Sequence, residues 1–174
     1  MSNEKGFTLI ELLAGILIAS LLMGLGALAL RNYWFVQSLR RSRAEVVTQM
    51  RSAQQKAMAE SHPLVYGVWF EPGESGWGVV KYDPTDGGSC EVVDQYDFGG
   101  GVESALPANV TERFVVDSGV QSQCNPVVPG TGERFAFFYP RGSATAGKIR
   151  LTSVHLDNEY VVEVKGVTGR VVTQ

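Results

Sequence analysis

The fold of this 174-residue chain is decided by the stretch Gly6-Phe7-Thr8-Leu9-Ile10-Glu11-Leu12-Leu13. From Phe7 to Leu30 the sequence is apolar apart from Thr8, Ser20 and a single carboxylate, that of Glu11. This run exceeds the roughly 20 apolar residues that a helix needs to span a bilayer core. A charge inside such a run costs about 2.5–3.5 kcal/mol on insertion scales and usually has a functional partner. We therefore expect a membrane-spanning helix in which Glu11 pairs with a cation.

A free α-amino group at Phe7 is the cation that the sequence suggests. Cleavage between Gly6 and Phe7 would remove a short polar leader and create an ammonium four residues before Glu11, at the positive end of the helix dipole. The amine of one subunit could then pair with Glu11 of the next, which would fix the axial register of an assembly. The alternative is a plain signal anchor that tolerates one acid near its end.

These residues resemble the processing and N-methylation site of type IV prepilins and type II secretion pseudopilins. The resemblance implies that Gly6 ends the leader, that Phe7 becomes the methylated N-terminus and that Glu11 is needed for assembly. It implies prepilin peptidase and other major and minor pilins or pseudopilins as partners. It places a single-pass helix in the inner membrane with the head in the periplasm, and the assembled subunit in a pilus or pseudopilus. The positive-inside rule alone favours the opposite orientation, because arginines follow the apolar run.

Charge is unevenly distributed along the chain. Residues 7–56 carry six basic and two acidic side chains, a net charge of +4. Residues 57–174 carry eight basic and fifteen acidic side chains, a net charge of −7. A basic stem suits a segment near anionic lipid headgroups. An acidic head does not suit a protein that binds polyanions over a wide face.

The helical pattern continues beyond the apolar run. Apolar residues recur there at spacings of seven, four, three and four positions: Leu39, Val46, Met50, Ala53 and Ala57. This spacing predicts an amphipathic stripe. Because residues 31–61 contain neither Gly nor Pro, one helix is predicted over about 8–61. Tyr33, Trp34 and Phe35 suit either an interfacial aromatic belt or packing against the head or a neighbouring helix.

Beyond Pro63 the sequence predicts short strands separated by turns. The predicted strands are 64–70, 77–82, 91–98, 110–117, 134–139, 148–156 and 160–165, with a short one near Arg170 and a looser segment at 118–132. The fold class is therefore α+β and pilin-like, with a long N-terminal helix packed on an antiparallel β-sheet head. The predicted domains are a leader at 1–6, a transmembrane assembly helix at 7–30, an amphipathic continuation at 31–62 and a β-rich head at 63–174.

The C-terminal half resembles GspH/FimT-type minor pilins. Phe138-Tyr139-Pro140-Arg141-Gly142 and Gly166-Val167-Thr168-Gly169-Arg170 match the F-x-P-x-G and G-x-x-G-R patterns of that group. The resemblance implies a minor pilin that initiates or tips a type IV pilus or, alternatively, a minor pseudopilin of a type II secretion system.

DNA binding for natural transformation is a further alternative. Some members of the group bind DNA through a Gly-Arg-x-Arg turn, but Val172 stands here at the place of the second arginine. The candidate contacts are Lys165 and Arg170, with Lys148 and Arg150 nearby. The competing interpretation is that Arg170 is a turn residue that pairs with a carboxylate.

The remaining reactive residues predict no catalysis. Cys90 and Cys124 are predicted to form one disulfide in a head outside the membrane, the alternative being two buried thiols. Neither His62 nor His155, the latter in a predicted strand, stands at a spacing that would activate a nucleophile. We therefore predict no enzyme activity, no cofactor and no metal site.

Overall fold

The computed structural model describes residues 8–60, 63–85, 87–115, 118–125, 127–128 and 132–174. The chain divides into two compact units, Met1–Trp34 and Phe35–Gln174. The predicted cleavage residues, Gly6 and Phe7, lie outside the described residues.

One long helix is followed by two antiparallel sheets. The elements in chain order are α1 (Leu9–Ala59), β1 (Val65–Phe70), β2 (Gly76–Asp83), β3 (Ser89–Asp97), β4 (Val102–Ala105), α2 (Ser118–Cys124), β5 (Phe135–Phe138), β6 (Gly147–Ser153), β7 (Leu156–Val164) and β8 (Val171–Thr173). The first sheet has the strand order β3-β2-β1-β5 and the second β4-β6-β7-β8, with every neighbouring pair antiparallel. The α+β class and the antiparallel head are confirmed, and the head contains two sheets.

In the first unit α1 has no buried side. Every residue of this part whose side chain the structure describes is exposed, including Leu9, Leu17 and Met23 at 77%, 62% and 76%. By its length and composition α1 can cross a membrane. A helix that is apolar all round is stable only when lipid or other helices surround it.

In the second unit α1 buries the predicted stripe. Its five residues are each at most 1% exposed: Leu39, Val46, Met50, Ala53 and Ala57. They belong to the main core together with Trp77, Phe138 and Ile149 from the two sheets. Burying a large apolar side chain stabilises a fold by about 1.5–3 kcal/mol, so this stripe accounts for the packing of α1 in this unit.

The first sheet is buried on both faces near its centre. Along β1, Val68 and Phe70 lie in the main core, whereas Trp69 lies in a second apolar cluster on the opposite face. Cys124 of α2 belongs to this second cluster. Burial on both faces explains why β1 is a continuous apolar run without alternating polar residues.

The strand prediction for 110–117 and the loose-segment prediction are wrong, and the predicted strand 148–156 ends earlier than expected, at Ser153. In the described part of 110–117, Val110–Glu112 is a 3₁₀ turn and no strand forms. The side chain of Asn109 accepts hydrogen bonds from the Thr111 amide at 3.1 Å and the Thr111 hydroxyl at 2.9 Å, which competes with strand pairing. Part of the predicted loose segment forms α2, and His155 lies in the turn between β6 and β7.

The three aromatic residues near the middle of α1 differ in environment. Tyr33 and Trp34 are exposed. Phe35 packs against the ring of His155, with centroids 4.1 Å apart. Phe35 therefore packs against the head, as the second of the two alternatives predicted. For Tyr33 and Trp34, a place in an interfacial aromatic belt stays a prediction.

Candidate functional site

The first turn of α1 contains a reciprocal hydrogen-bonded cap. Oε2 of Glu11 accepts hydrogen bonds from the Thr8 amide at 3.1 Å and from the Thr8 hydroxyl at 3.0 Å. In return the Glu11 amide donates to Oγ1 of Thr8 at 3.3 Å. This is a capping box, which satisfies amides that the start of a helix leaves without partners.

The capping box holds the Glu11 carboxylate at the start of the helix, against Thr8. Thr8 directly follows Phe7, the predicted first residue of the mature chain. The Thr-x-x-Glu signal was in the sequence but was missed, because Glu11 was considered only as a charge that needs a cation. Hydrogen bonds from Thr8 reduce the cost of a carboxylate among apolar residues, but they supply no opposite charge. Thr8 therefore positions the Glu11 carboxylate but does not neutralise its charge.

A disulfide joins Cys90, in β3, to Cys124, at the end of α2. The two Cα atoms are 5.1 Å apart and the sequence separation is 34 residues. A cross-link of this length stabilises a fold by about 3–4 kcal/mol in the chain-entropy model. Because Cys124 is fully buried in the second cluster, the bond holds α2 against the first sheet.

The last turn of the chain packs closely against α1. Gly169 has a φ of +60°, and a Cβ at this position would lie 2.6 Å from the carbonyl oxygen of Gly142 and 2.5 Å from Nε2 of Gln54. The same Gln54 nitrogen donates a hydrogen bond to the Thr168 carbonyl at 3.1 Å. The two glycine-containing patterns of the C-terminal half therefore meet at the helix, and Gly169 is needed for close approach.

The four candidate DNA contacts do not form one patch of free cations. Three of them pair with carboxylates: Lys148 with Glu112, Arg150 with Glu159 and Lys165 with Glu163. The hydrogen bond from Nζ of Lys148 to Oε1 of Glu112, at 2.7 Å, raises the pKa of that lysine. Phosphate binding grows with the number of cations in reach, so these pairs weaken the predicted DNA surface.

Arg170, the fourth candidate, lines an open groove between β8 and α1. The groove has a volume of about 560 Å³, and α1 contributes Arg51, Gln55 and Met58 to its wall. Among the described residues, neither Arg170 nor Arg51 forms an ion pair and no acidic side chain lines the groove. The sequence predicted Arg170 as a candidate contact but gave no signal that Arg51, which is 119 positions earlier in the chain, lines the same groove.

Comparisons with known proteins agree with the geometry of both ends of the chain. The prokaryotic N-terminal methylation motif matches residues 1–27. GspH of Escherichia coli has a similar structure, with a TM-score of 0.53 and 12% identity over 79% of this chain and 88% of that one. The chain therefore combines a prokaryotic N-terminal methylation motif with a fold similar to that of GspH.

A second solved structure supports the same fold. The minor pseudopilin EpsH from the type 2 secretion system of Vibrio cholerae gives a TM-score of 0.53 and 12% identity over 78% of this chain and 94% of that one. Among curated proteins, none matches significantly by sequence. The predicted resemblance to GspH/FimT-type pilin-like proteins is confirmed at the level of the fold and the N-terminal motif.

The N-terminal motif has direct consequences for the processing of this chain. It implies processing by prepilin peptidase and assembly with other pilins or pseudopilins. The apolar helix next to the motif indicates that the subunit is anchored in a membrane. Thr8 and Glu11, which form the capping box, both lie within the residues that match this motif.

Proposed function

We propose that this chain is a minor pilin, a structural subunit that initiates or tips a type IV pilus after prepilin peptidase cuts between Gly6 and Phe7. Phe7 becomes the N-methylated start of the mature chain. The capping box carries the proposal, because Thr8 holds the Glu11 carboxylate at the helix start, beside the residue that would gain the new amine. Glu11 would pair there with the amine of a neighbouring subunit.

The proposed domains follow from the same assignment. A leader, 1–6, precedes an assembly helix, 7–30, which leaves the membrane for the filament. An amphipathic continuation, 31–62, supports the head, 63–174. The head lies in the periplasm, an oxidising compartment in which the disulfide between Cys90 and Cys124 persists.

A minor pseudopilin of a type II secretion system is the second candidate. The observation in its favour is the fold shared with EpsH, which is a minor pseudopilin of such a system. Both candidates use the same processing and the same Glu11 pairing, and they differ in the filament that they join. A DNA receptor is disfavoured, since three of its four candidate cations pair with carboxylates.

Intact-mass analysis and N-terminal sequencing of the protein from its own membranes test the proposal. The expected start is N-methyl-phenylalanine at position 7. An unprocessed start at Met1 or Ser2 would contradict both candidates, because neither assembles a chain that keeps its leader.

Deletion of the gene for this chain distinguishes a minor pilin from a minor pseudopilin. A minor pilin is needed for surface pili, so the deletion should abolish pili in sheared fractions and leave protein secretion intact. Loss of secretion with normal pili would replace the first candidate by the second. Re-expression of the chain, which should restore the lost structure, is the control.

A further inference from the structure

β8 is a strand with an unused edge. Gln174 and Val161 of β7 exchange two backbone hydrogen bonds, at 3.0 and 3.2 Å. Because hydrogen-bonded pairs alternate along an antiparallel ladder, Val172 also bonds to β7, whereas Val171 and Thr173 direct their N–H and C=O groups away from it. Within the described part of the chain, those outward groups have no hydrogen-bond partner.

The other sheet edges are covered or acidic. Ser104 on the outer edge of β4 exchanges backbone hydrogen bonds with the turn after β1, at 2.8 and 3.1 Å. The outer edge of β5 is covered because the Thr145 amide donates to the Phe137 carbonyl at 2.8 Å. β3 is exposed but carries Glu91 and Asp94. Charged side chains of this kind protect an edge from pairing, above all with an acidic strand.

The groove beside β8 combines this free edge with positive charge. Arg51 and Arg170 are exposed, line the groove and have no ion-pair partner among the described residues. Met58 adds an apolar contact surface on the α1 side. The charge is local, since residues 57–174 carry a net charge of −7. A strand laid along β8 would gain main-chain hydrogen bonds while its acidic side chains met the arginines.

We infer that β8 and this groove bind an extended, acidic segment of a neighbouring subunit as an added strand. The main chain of the segment bonds to Val171 and Thr173, and carboxylates at alternate positions reach Arg51 and Arg170. Alternate positions are required because successive side chains of a strand point to opposite faces. The inference rests on the proposed function only for the source of the segment, because the geometry itself requires an extended acidic peptide.

Peptide binding to the full chain in detergent micelles tests this inference. The probe is a fluorescein-labelled peptide of sequence Thr-Val-Glu-Val-Glu-Val-Thr with blocked ends. One control peptide has lysine in place of each glutamate, and the other has proline in place of the central valine. Fluorescence anisotropy should show binding of the acidic peptide alone, and hydrogen exchange should slow at residues 171–173 when the peptide is added.

Two sets of variants separate charge from strand addition. Arg51→Gln with Arg170→Gln removes the positive charge and should weaken binding about tenfold or more. Thr173→Pro removes one outward N–H without touching the ladder to β7 and should weaken binding about threefold to tenfold, the value of one net hydrogen bond. Arg41→Gln changes an exposed arginine of α1 outside the groove and should leave binding unchanged. Near-ultraviolet circular dichroism verifies that each variant is folded.

Several results would overturn the inference. Absence of binding at about 1 mM peptide would do so, since an interface of this kind needs at least millimolar affinity. Equal binding of the acidic and proline peptides would exclude strand addition. Binding of duplex DNA that depends on both arginines but not on Thr173 would assign the groove to nucleic acid.

Failure of the inference is distinct from failure of the proposed function. A chain that is processed at Phe7 and enters pili, but does not bind the peptide, contradicts the inference alone. A chain that binds the peptide but keeps its leader contradicts the proposed function alone.

Discussion

The two parts of α1 share one secondary structure and differ in every other respect. Between Leu9 and Trp34 the described side chains are exposed and mostly apolar, whereas between Phe35 and Ala59 one stripe is buried at no more than 1% exposure. Helix propensity therefore does not explain the difference between the two parts, whereas the placement of apolar residues around the helix does. The first part depends on lipid or other subunits for its stability, and the second part depends on the head of its own chain.

The largest expected effect concerns the first part and appears in assembly. Glu11→Ala should still be cleaved and methylated, but its recovery in sheared filaments should fall by about a hundredfold or more. The variant leaves the Phe7 amine of the neighbouring subunit without its partner, and an unpaired buried charge costs about 3–5 kcal/mol. Quantitative immunoblotting of filament and membrane fractions measures this ratio. Thr8→Ala, which removes the capping hydroxyl but keeps the charge, should cost about 1 kcal/mol or roughly a fivefold loss. Normal recovery of Glu11→Ala would show that the carboxylate is not an assembly contact.

Two methionines on the same helix provide a matched test of the comparison. Met50 is fully buried and Met23 is 76% exposed. Met50→Ala should lower the free energy of unfolding of the head by about 2–5 kcal/mol, since it removes core contacts and leaves a cavity. Met23→Ala should change it by less than about 0.5 kcal/mol. Denaturant unfolding of the full chain in micelles, followed by tryptophan fluorescence, measures both, and equal effects would contradict the division of α1.

The disulfide should give the next effect. Replacing Cys90 and Cys124 together with serine should destabilise the head by about 3–4 kcal/mol, because the unfolded chain regains the entropy of an open loop. Hydrogen exchange should increase first in α2, which the bond holds on the first sheet. Denaturant unfolding measures the effect, and the reduced wild-type protein should have the same unfolding midpoint as the double variant. An unchanged midpoint after reduction would show that α2 is held by apolar packing alone.

An effect confined to alkaline pH comes from Tyr66 in β1. Burial, aided by the hydrogen bond to Glu60, raises the pKa of Tyr66 to about 12. The folded state therefore holds this proton more tightly than the unfolded state, whose tyrosine pKa is 10.0. This contribution, up to about 3 kcal/mol, is complete below pH 10 and is lost as the pH rises from about 10 to about 12. Tyr66→Phe should flatten that part of the alkaline unfolding curve, and an unchanged curve would contradict the assignment.

Sequence reasoning succeeded where the physical signal is local or periodic. The five-residue stripe of α1 was predicted residue by residue, because one buried side of a helix imposes its spacing on the sequence. It failed at 110–117, where β-branched composition suggested a strand but Asn109 supplies a local hydrogen bond that the composition does not reveal. The capping box was available as a local signal and was overlooked.

By itself, the sequence determined the membrane-length helix, its prepilin-type start and the β-rich head, because length, charge and periodicity are properties of neighbouring residues. Only the tertiary structure decided which distant residues meet. It divided the strands into two sheets and brought Arg51 and Arg170 to one groove. It also explained Gly67, where a Cβ would lie 2.5 Å from the Phe137 ring. Such contacts depend on how the elements pack, and no spacing along the chain encodes them directly.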